Sequence, residues 1–473
     1  MTEIQTPHIL WVRGGRMIDP SQDYDMPGDI LLEDGAVLAS GNPADIAAQA
    51  QAKKSAGAQI EEIILSADLC VAPGLIDAHT HLREPGFEIK ETIYSGAKAA
   101  ARGGYTTVCS MPNTSPVTDS RSVVAQIIAA AHNAAIRVLP IGAITRGQEG
   151  LQLTEMYELA EAGVIAFSDD GKPVRSGAMM SMALNYALPL YLPIINHCED
   201  PDIVGGGVMN SGPAAIRLGL KGWPSSGEVI MLQRDLELVR GIGARYHAAH
   251  LSAAGSVEAV RRAKDAGLRV TAEVTPHHLL LTDEWVEGHA GGILAEYAQH
   301  ARMPQFNTNA KVNPPLRSAK DAEAVLQGLL DGVIDIVATD HAPHGVTDKY
   351  CSFDEAAFGI SGIETSLSML LTLARLRNIP LKTMIAAAST KPAEVFQLAR
   401  HTRLPIGTLR AGAAADVVIF NPNERYTVRA EEFLSLGKNT PLDGAELAGK
   451  VKMTIYGGAI VWEDAHFNRR PQA

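Results

Sequence analysis

The chain has 473 residues, 46% of them hydrophobic and 20% charged, which is the composition of an ordinary globular protein with room for a large domain and a smaller one. Lys and Arg number 41 against 53 Asp and Glu, and this net charge of −12 without a basic cluster argues against a nucleic-acid partner. The start MTEIQTPHIL does not have the pattern of a signal peptide, and no apolar run is long enough to span a bilayer, so we expect a cytoplasmic protein without membrane contact.

The N-terminal segment, residues 1–72, predicts short strands joined by Gly and Asp turns. ILWVRGGRMID, GDILLEDGAVLAS and EEIILSADLCVAP carry this pattern. Residues 404–473 show a similar pattern of short predicted strands, as in GTLRAGAAADVVIFNP and VKMTIYGGAIVWE. We therefore expect residues 1–72 and 404–473 to form one β-rich side domain, with residues 73–403 inserted between them as the main domain.

The main domain repeats one pattern eight times: a short apolar run, a polar residue or two, and then a helical stretch rich in Ala and Leu. The runs are GLIDAH (74–79), YTTVCSM (105–111), IRVLPIGAI (136–144), VIAFSD (164–169), YLPIINH (191–197), ARYHAAH (244–250), RVTAEVT (269–275) and IDIVATD (334–340). Short buried strands that alternate with helices predict a parallel sheet, and eight such units predict an α/β fold of the (β/α)8 TIM-barrel type.

Side chains of the types that bind metals stand at the ends of several of these predicted strands. His79 and His81 stand two positions apart, so on a strand both imidazoles point to the same side, as capture of Zn²⁺ requires. Polar loop residues alone would give the same HxH pattern, but His197, His250 and Asp340 follow later strands of the same barrel. With an aspartate after the fourth run, these ligands exceed one tetrahedral shell and predict two metal ions for hydrolysis or formation of an amide-like bond.

Eight motifs in chain order carry a resemblance to a known family. They are GLIDAHTHLREPG (74–86), MPNT (111–114), FSDDG (167–171), HCED (197–200), HLS (250–252), TPHHLLLTD (275–283), KVNPPLR (311–317) and TDHAPH (339–344). The set resembles the amidohydrolase superfamily and, within it, the bacterial type I dihydroorotases. This resemblance implies zinc-dependent interconversion of L-dihydroorotate and N-carbamoyl-L-aspartate in pyrimidine biosynthesis, and it suggests two partner hypotheses, a homodimer and an association with aspartate carbamoyltransferase.

The resemblance also implies the metal ligands, which are His79, His81, Asp170, His197, His250 and Asp340. Many relatives bridge their metals with a carbamylated lysine, whereas here Asp169 and Asp170 occupy that place. The spacing to the next histidine favours Asp170 as the bridge, with Asp169 as the alternative and Lys172 as a poorer one.

Roles in catalysis and substrate binding follow from the same resemblance. Asp340 would be the catalytic aspartate that moves a proton from the attacking water to the leaving nitrogen, although a lone Asp after a strand is more often a helix cap. Arg83 with Asn113 would bind the substrate carboxylate, a role that suits a planar, permanently charged guanidinium. The implied substrate contacts are Arg83, Asn113, Asn313, His344, Phe358 and Gly359.

Two other functions stay open at this point. An allantoinase or hydantoinase-type cyclic amidohydrolase would act on rings without that carboxylate, and Arg83 argues against it. A non-catalytic, dihydroorotase-like assembly partner would be expected to lose metal ligands, which this chain retains. The long irregular stretch 285–306 is a candidate lid.

Overall fold

Residues 8–469 are described here from a computed structural model of the chain. The N-terminal part is built of short strands and one helix. These elements are β1 His8–Arg13, β2 Arg16–Asp19, β3 Tyr24–Pro27, β4 Asp29–Glu33, β5 Ala36–Gly41, α1 Pro43–Ser55, β6 Gln59–Ile64 and β7 Cys70–Pro73. Helix α1 is not predicted from the sequence, because its buried face is limited to Ile46 and Ala50 and gives little apolar periodicity.

The middle of the chain alternates strands and helices, and each of the eight predicted runs contains a strand. The strands are β8 Leu75–Thr80, β9 Tyr105–Ser110, β10 Arg137–Pro140, β11 Phe167–Ser168, β12 Ile194–Asn196, β13 Met209–Asn210, β14 Gly222–Trp223, β15 Tyr246–Ala248, β16 Val270–Val274 and β17 Ile336–Val337. The helices are α2 Ile93–Arg102, α3 Arg121–Ala131, α4 Met156–Ala162, α5 Gly177–Ala187, α6 Pro201–Val204, α7 Pro213–Leu218, α8 Ser226–Ile242, α9 Ala254–Asp265, α10 Pro276–Leu280, α11 Ala319–Leu330, α12 Val346–Lys349, α13 Ser366–Arg377, α14 Leu381–Ile385 and α15 Lys391–Val395.

The parallel strands pair as two sheets and not as one continuous ring. One sheet has the order β10-β9-β8 and the other the order β11-β12-β15-β16-β17, while β13 and β14 pair with each other. Isolated parallel bridges join Gly142 to Phe167 and Thr80 to His341, between the outer strands of the two sheets. One buried apolar cluster draws on both sheets, and includes Ile76, Cys109, Leu139, Ile195 and Ile336.

Both ends of the chain contribute strands to one six-stranded sheet. The C-terminal strands are β18 Val417–Thr427, β19 Glu446–Tyr456 and β20 Ala459–Glu463. They continue the N-terminal strands in a six-stranded sheet of order β20-β19-β18-β7-β2-β3, in which Val417 pairs with Pro73. The N-terminal strands also form a four-stranded sheet of order β5-β4-β1-β6. One apolar cluster draws on both sheets, because it contains Leu10 of β1, Val71 of β7 and Ile455 of β19.

The long segment 285–306 is fastened to the C-terminal part of the chain. The backbone N–H of Glu446 donates to the carbonyl of Tyr297, and that of Arg302 donates to the carbonyl of Asp443, both at 2.8 Å. A lid made of this segment would have to break these hydrogen bonds to move. Within residues 8–469, no helix is both long and apolar enough to cross a membrane.

The contact between the six-stranded sheet and the helix-to-strand turn at Gly104 can be tested by one substitution. Gly104 has φ +90°, and a Cβ there would lie 2.8 Å from Val418 Cγ2. Gly104→Ala should lower the free energy of unfolding by about 2–5 kcal/mol, the sum of a left-handed backbone penalty and overpacking. Gly57→Ala is the matched control, because Gly57 has φ +92° with nothing within 4 Å of a Cβ. Equal urea midpoints for the two variants would show that the sheet does not pack tightly on this turn.

Candidate metal centre

Four histidines and one aspartate converge at the carboxyl ends of the parallel strands. His79 lies in β8 and His81 just after it, Asp170 follows β11, His197 follows β12 and His250 follows β15. The ligand atoms of His79, His81 and Asp170 all lie within 4.8 Å of one another, as do those of Asp170, His197 and His250. Asp170 is therefore shared by two groups, each of which could hold a metal ion.

The Asp170 carboxylate has no hydrogen-bond donor for one of its oxygens. Oδ1 is buried without a partner, 3.4 Å from Nε2 of His79 and 3.5 Å from both Nδ1 of His197 and Nε2 of His250. Nε2 of His79 is likewise buried without a hydrogen-bond partner. Buried acceptors without a donor are rare in folded proteins, and imidazole and carboxylate are the donor types that Zn²⁺ prefers. These residues therefore fit a divalent metal.

Three of the histidines have a neighbour that selects, in the neutral ring, the tautomer that metal binding needs. Each can donate one ring N–H to a neighbouring oxygen, which leaves the other nitrogen with its lone pair facing Asp170 or Asp340. The pairs are His79 Nδ1 with Glu273 Oε1 at 2.6 Å, His81 Nδ1 with Asn113 Oδ1 at 2.9 Å, and His197 Nε2 with Glu199 Oε2 at 3.0 Å.

The two aspartates of FSDDG have different surroundings. Asp169 accepts hydrogen bonds from the backbone N–H groups of Ile144 and Thr145, at 2.8 and 3.0 Å, and from the Thr145 hydroxyl. Burial raises the pKa of Asp169 to about 6 in spite of these hydrogen bonds. Lys172 is exposed. The structure thus brings Asp170 to the histidines and uses Asp169 to fix the loop after β10.

Asp340 faces the same cluster from the segment after β17. Its Oδ1 lies 3.0 Å from Nε2 of His81 and 3.6 Å from Nε2 of His79. Asp340 has φ 45° and His250 has φ 29°, a region that non-glycine residues seldom adopt. Such backbone strain is concentrated at functional sites, where the surrounding structure holds a side chain in a required direction.

The electrostatics of the cluster favour positive charge. Burial opposes ionisation of His79, but Glu273 and Asp170 hold the pKa of His79 well above its usual value. Burial is likewise outweighed at His197, whose pKa is raised to about 10 by Asp170 and Glu199. At Asp340 burial would raise the pKa, yet the neighbouring imidazoles hold it below its usual value. Protons and metal ions would therefore compete for this site.

Glu273 is a central residue that the sequence analysis missed. Besides the ring of His79, its carboxylate accepts hydrogen bonds from Nε2 of His247 at 3.1 Å and from the backbone N–H of His250 at 3.2 Å. The signal in the sequence is an acidic residue inside the apolar run RVTAEVT, because a buried carboxylate needs partners.

The predicted substrate contacts fall into two places. Arg83 donates from Nε to the carbonyl of Pro343 at 3.2 Å, and its Nη2 lies 3.4 Å from Nε2 of His344. Both ring nitrogens of His344 have partners. Nε2 lies 2.8 Å from the carbonyl oxygen of Phe358, and Nδ1 lies 3.3 Å from Nζ of Lys90. Asn113 instead contacts His81 of the metal cluster, and Asn313 contacts Glu199.

Phe358 and Gly359 stand on the loop that faces His344. The Phe358 ring packs against Trp223, with centroids 5.8 Å apart, and the Lys311 ammonium lies 4.4 Å from its centroid. The backbone N–H of Gly359 donates to the carbonyl of Lys311 at 2.9 Å. A Cβ at Gly359 would lie 2.7 Å from the carbonyl oxygen of Ala342, so glycine is required for this close approach.

Comparison with known proteins identifies the relatives of the chain. A family model described as Dihydro-orotase-like matches residues 69–256, and one described as Amidohydrolase family matches residues 239–462. A protein named dihydroorotase from Syntrophus aciditrophicus is 45% identical over 96% of this chain and 99% of its own length. A dihydroorotase from Anaeromyxobacter sp. (strain K) is 45% identical over 98% of this chain and 99% of its own length.

Solved structures share the fold at lower sequence identity. The dihydropyrimidinase from Brevibacillus agri superposes with a TM-score of 0.79 at 21% identity, covering 97% of this chain and 96% of that one. The L-hydantoinase from Arthrobacter aurescens superposes with a TM-score of 0.79 at 24% identity, covering 96% of both chains. These likenesses show an α/β fold of the TIM-barrel type. Since the relatives named above match it at 45% identity along nearly its whole length, the chain belongs to the dihydroorotase family.

Proposed function

We propose that this chain is a zinc-dependent cyclic amidohydrolase that interconverts L-dihydroorotate and N-carbamoyl-L-aspartate in de novo pyrimidine (UMP) biosynthesis. The observation that carries the proposal is the sharing of Asp170 by two pairs of histidines beside Asp340. The substrate assignment is supported by the 45% identity to proteins named dihydroorotase. The proposed role would place the protein in the cytoplasm.

The cluster would hold two Zn²⁺ ions. His79, His81 and Asp340 would hold the first, His197 and His250 the second, and Asp170 would bridge them. Zinc bound here would lower the pKa of a water molecule toward neutrality and polarise the ring carbonyl of the substrate. The buried Asp170 Oδ1 and His79 Nε2 atoms without hydrogen-bond partners support this assignment.

Asp340 would carry the proton during ring opening. The oxygen of water forms a bond to the ring carbonyl carbon, the C–N bond breaks, and Asp340 accepts the proton of the water and delivers it to the departing nitrogen. Cyclisation follows the same steps in reverse. The position of Asp340, 3.0 Å from His81 Nε2 and inside a cluster that stabilises its ionised form, supports a role as the base.

Arg83 and Asn113 would together bind the substrate carboxylate, and His344, Phe358 and Gly359 would line the pocket. Arg83 is held in the left-handed region, with φ 63°, which supports a fixed direction for its guanidinium. Asn313 would offer its side-chain oxygen to an N–H of the substrate, because that oxygen is buried without a partner.

We also infer the finer architecture. The two parallel sheets would close into one (β/α)8 barrel, supported by the bridges Gly142–Phe167 and Thr80–His341. Residues 73–403 would form the barrel domain, and residues 1–72 and 404–473 the side domain, supported by the sheet that both chain ends share. A homodimer and an association with aspartate carbamoyltransferase are proposed from the family resemblance alone.

Measuring zinc content tests whether Asp170 or Asp169 bridges the metals. The wild-type protein should hold about two zinc ions per chain, as expected for a bridged pair. Asp170→Asn should lose zinc and turnover, because a neutral amide is a weak bridge, whereas Asp169→Asn should keep its zinc and lose mainly stability. Elemental analysis of both purified variants checks this. The reverse pattern would identify Asp169 as the bridge.

Replacing Arg83 tests the substrate assignment. Arg83→Met should raise KM for L-dihydroorotate about 10- to 100-fold, because a hydrogen bond to a charged group contributes about 1.5–3 kcal/mol. Zinc content should not change. Turnover of L-dihydroorotate, allantoin and hydantoin is measured before and after the substitution. If the wild-type protein opens only rings without a carboxylate, the substrate assignment is wrong while the metal centre stands.

Replacing Asp340 tests the proton transfer. Asp340→Asn should lower kcat by about 10²- to 10⁴-fold, since the amide cannot accept the proton from water. Zinc should be largely retained because five other ligands remain. Steady-state kinetics with elemental analysis on the same sample checks both points. A normal kcat in the zinc-loaded variant would remove Asp340 from the mechanism.

A further inference from the structure

One carboxylate oxygen of Glu199 connects the metal cluster to a predicted substrate contact. Oε2 of Glu199 lies 3.0 Å from Nε2 of His197 and 3.0 Å from Nδ2 of Asn313. The two partners come from distant parts of the chain, with Asn313 114 positions after Glu199. The Glu199 side chain is 16% exposed, so this contact is largely shielded from water.

On one side, Glu199 fixes the state of His197. A carboxylate only accepts hydrogen bonds, so Nε2 of His197 must carry a hydrogen, and in the neutral ring, the form that binds a metal, Nδ1 carries the lone pair. Nδ1 is the nitrogen that faces the cluster, 3.5 Å from Oδ1 of Asp170 and 2.9 Å from Nε2 of His250. Without Glu199 the ring would be free to adopt the other tautomer or to rotate away from the cluster.

On the other side, Glu199 fixes the side-chain amide of Asn313. Because the carboxylate cannot donate, the NH2 group of Asn313 must face it and the oxygen must point the other way. That oxygen, Oδ1, is buried and has no hydrogen-bond partner. A buried acceptor without a donor costs free energy, which a bound N–H group would recover. The amide is therefore oriented to accept a hydrogen bond from a ligand.

We propose that Glu199 is a positioning residue that couples the metal ion held by His197 to recognition of a substrate N–H by Asn313. The inference rests on the proposed function, because it takes the ligand to be a cyclic amide or its ureido product. It deepens that function because it requires the substrate to carry an N–H group that faces Oδ1 of Asn313. Since binding free energies are linked, the metal should strengthen substrate binding and the substrate should strengthen metal binding by the same factor.

The test compares four single variants of the full chain by two measurements. The first is competition titration of metal-free protein with Zn²⁺ and a chromophoric chelator. The second is KM and kcat for L-dihydroorotate with the zinc-loaded enzyme. The variants are Glu199→Ala, Glu199→Gln, Asn313→Ala and, as a matched control, Glu155→Ala, which removes an exposed surface carboxylate.

The proposal predicts a distinct pattern for each variant. Glu199→Ala should weaken the zinc site held by His197 and His250 about 10- to 100-fold, as for other residues that orient metal-bound histidines, and should also raise KM. Glu199→Gln should recover most of both losses, because one amide oxygen can accept both hydrogen bonds. Asn313→Ala should raise KM and leave zinc affinity in metal-free protein unchanged. Glu199→Ala with Asn313→Ala together should raise KM by less than the product of the two single effects.

Several outcomes would overturn the proposal. Unchanged zinc affinity and KM in Glu199→Ala would show that the contact positions nothing, and a glutamine variant as impaired as the alanine variant would show that charge rather than geometry matters. If Glu199→Ala does not fold, Glu199→Asp takes its place. The shorter side chain withdraws the carboxylate from His197 and Asn313, and the same two measurements apply. If the wild-type enzyme does not turn over L-dihydroorotate, the proposed function fails, and the zinc titration still decides whether Glu199 positions His197.

Discussion

The structure depends most on one buried charge, the carboxylate of Asp170. An ionised carboxylate is costly to bury unless a cation or hydrogen-bond donors compensate for the lost water. Four imidazoles surround Asp170, but within residues 8–469 none forms a hydrogen bond to its Oδ1. A proton on a facing imidazole can stabilise this oxygen, and so can a bound metal cation. The arrangement of strand ends, with one or two polar residues after each short strand, supplies the ligands that such a cation needs.

A second layer of carboxylates makes this cluster rigid. Glu273 holds the rings of His79 and His247 and the backbone of His250, so one side chain fixes three strands relative to one another. Asp77 accepts hydrogen bonds from Thr80 and from the backbone of Thr339, and so connects β8 to the segment that leads into Asp340. These acidic residues are buried and paired, and the negative potential that they create favours the binding of positive ions.

Much of the architecture could be predicted from the sequence because strand length, alternation and the polar residues after each run are local properties. His79 and His81 were recognisable for this reason. Spacing favoured Asp170 over Asp169 without deciding between them, since the choice depends on backbone N–H groups of Ile144 and Thr145 in another loop. Glu273 was missed because its partners are spread over several strands. Helix α1 was missed because few of its residues are buried, so its sequence lacks a clear apolar face.

The sheet that joins both ends of the chain has a consequence for how the protein is made. Strand β7 lies between β2 and β18, and its partner Val417 is about 340 positions beyond Pro73. At roughly 5–20 residues per second, the ribosome needs on the order of 20 to 70 s to supply that partner. Throughout this time the N-terminal strands present an unpaired edge, which other chains could pair with. Synthesis of this chain thus includes a long interval in which a chaperone or the newly made middle of the chain must shield that edge.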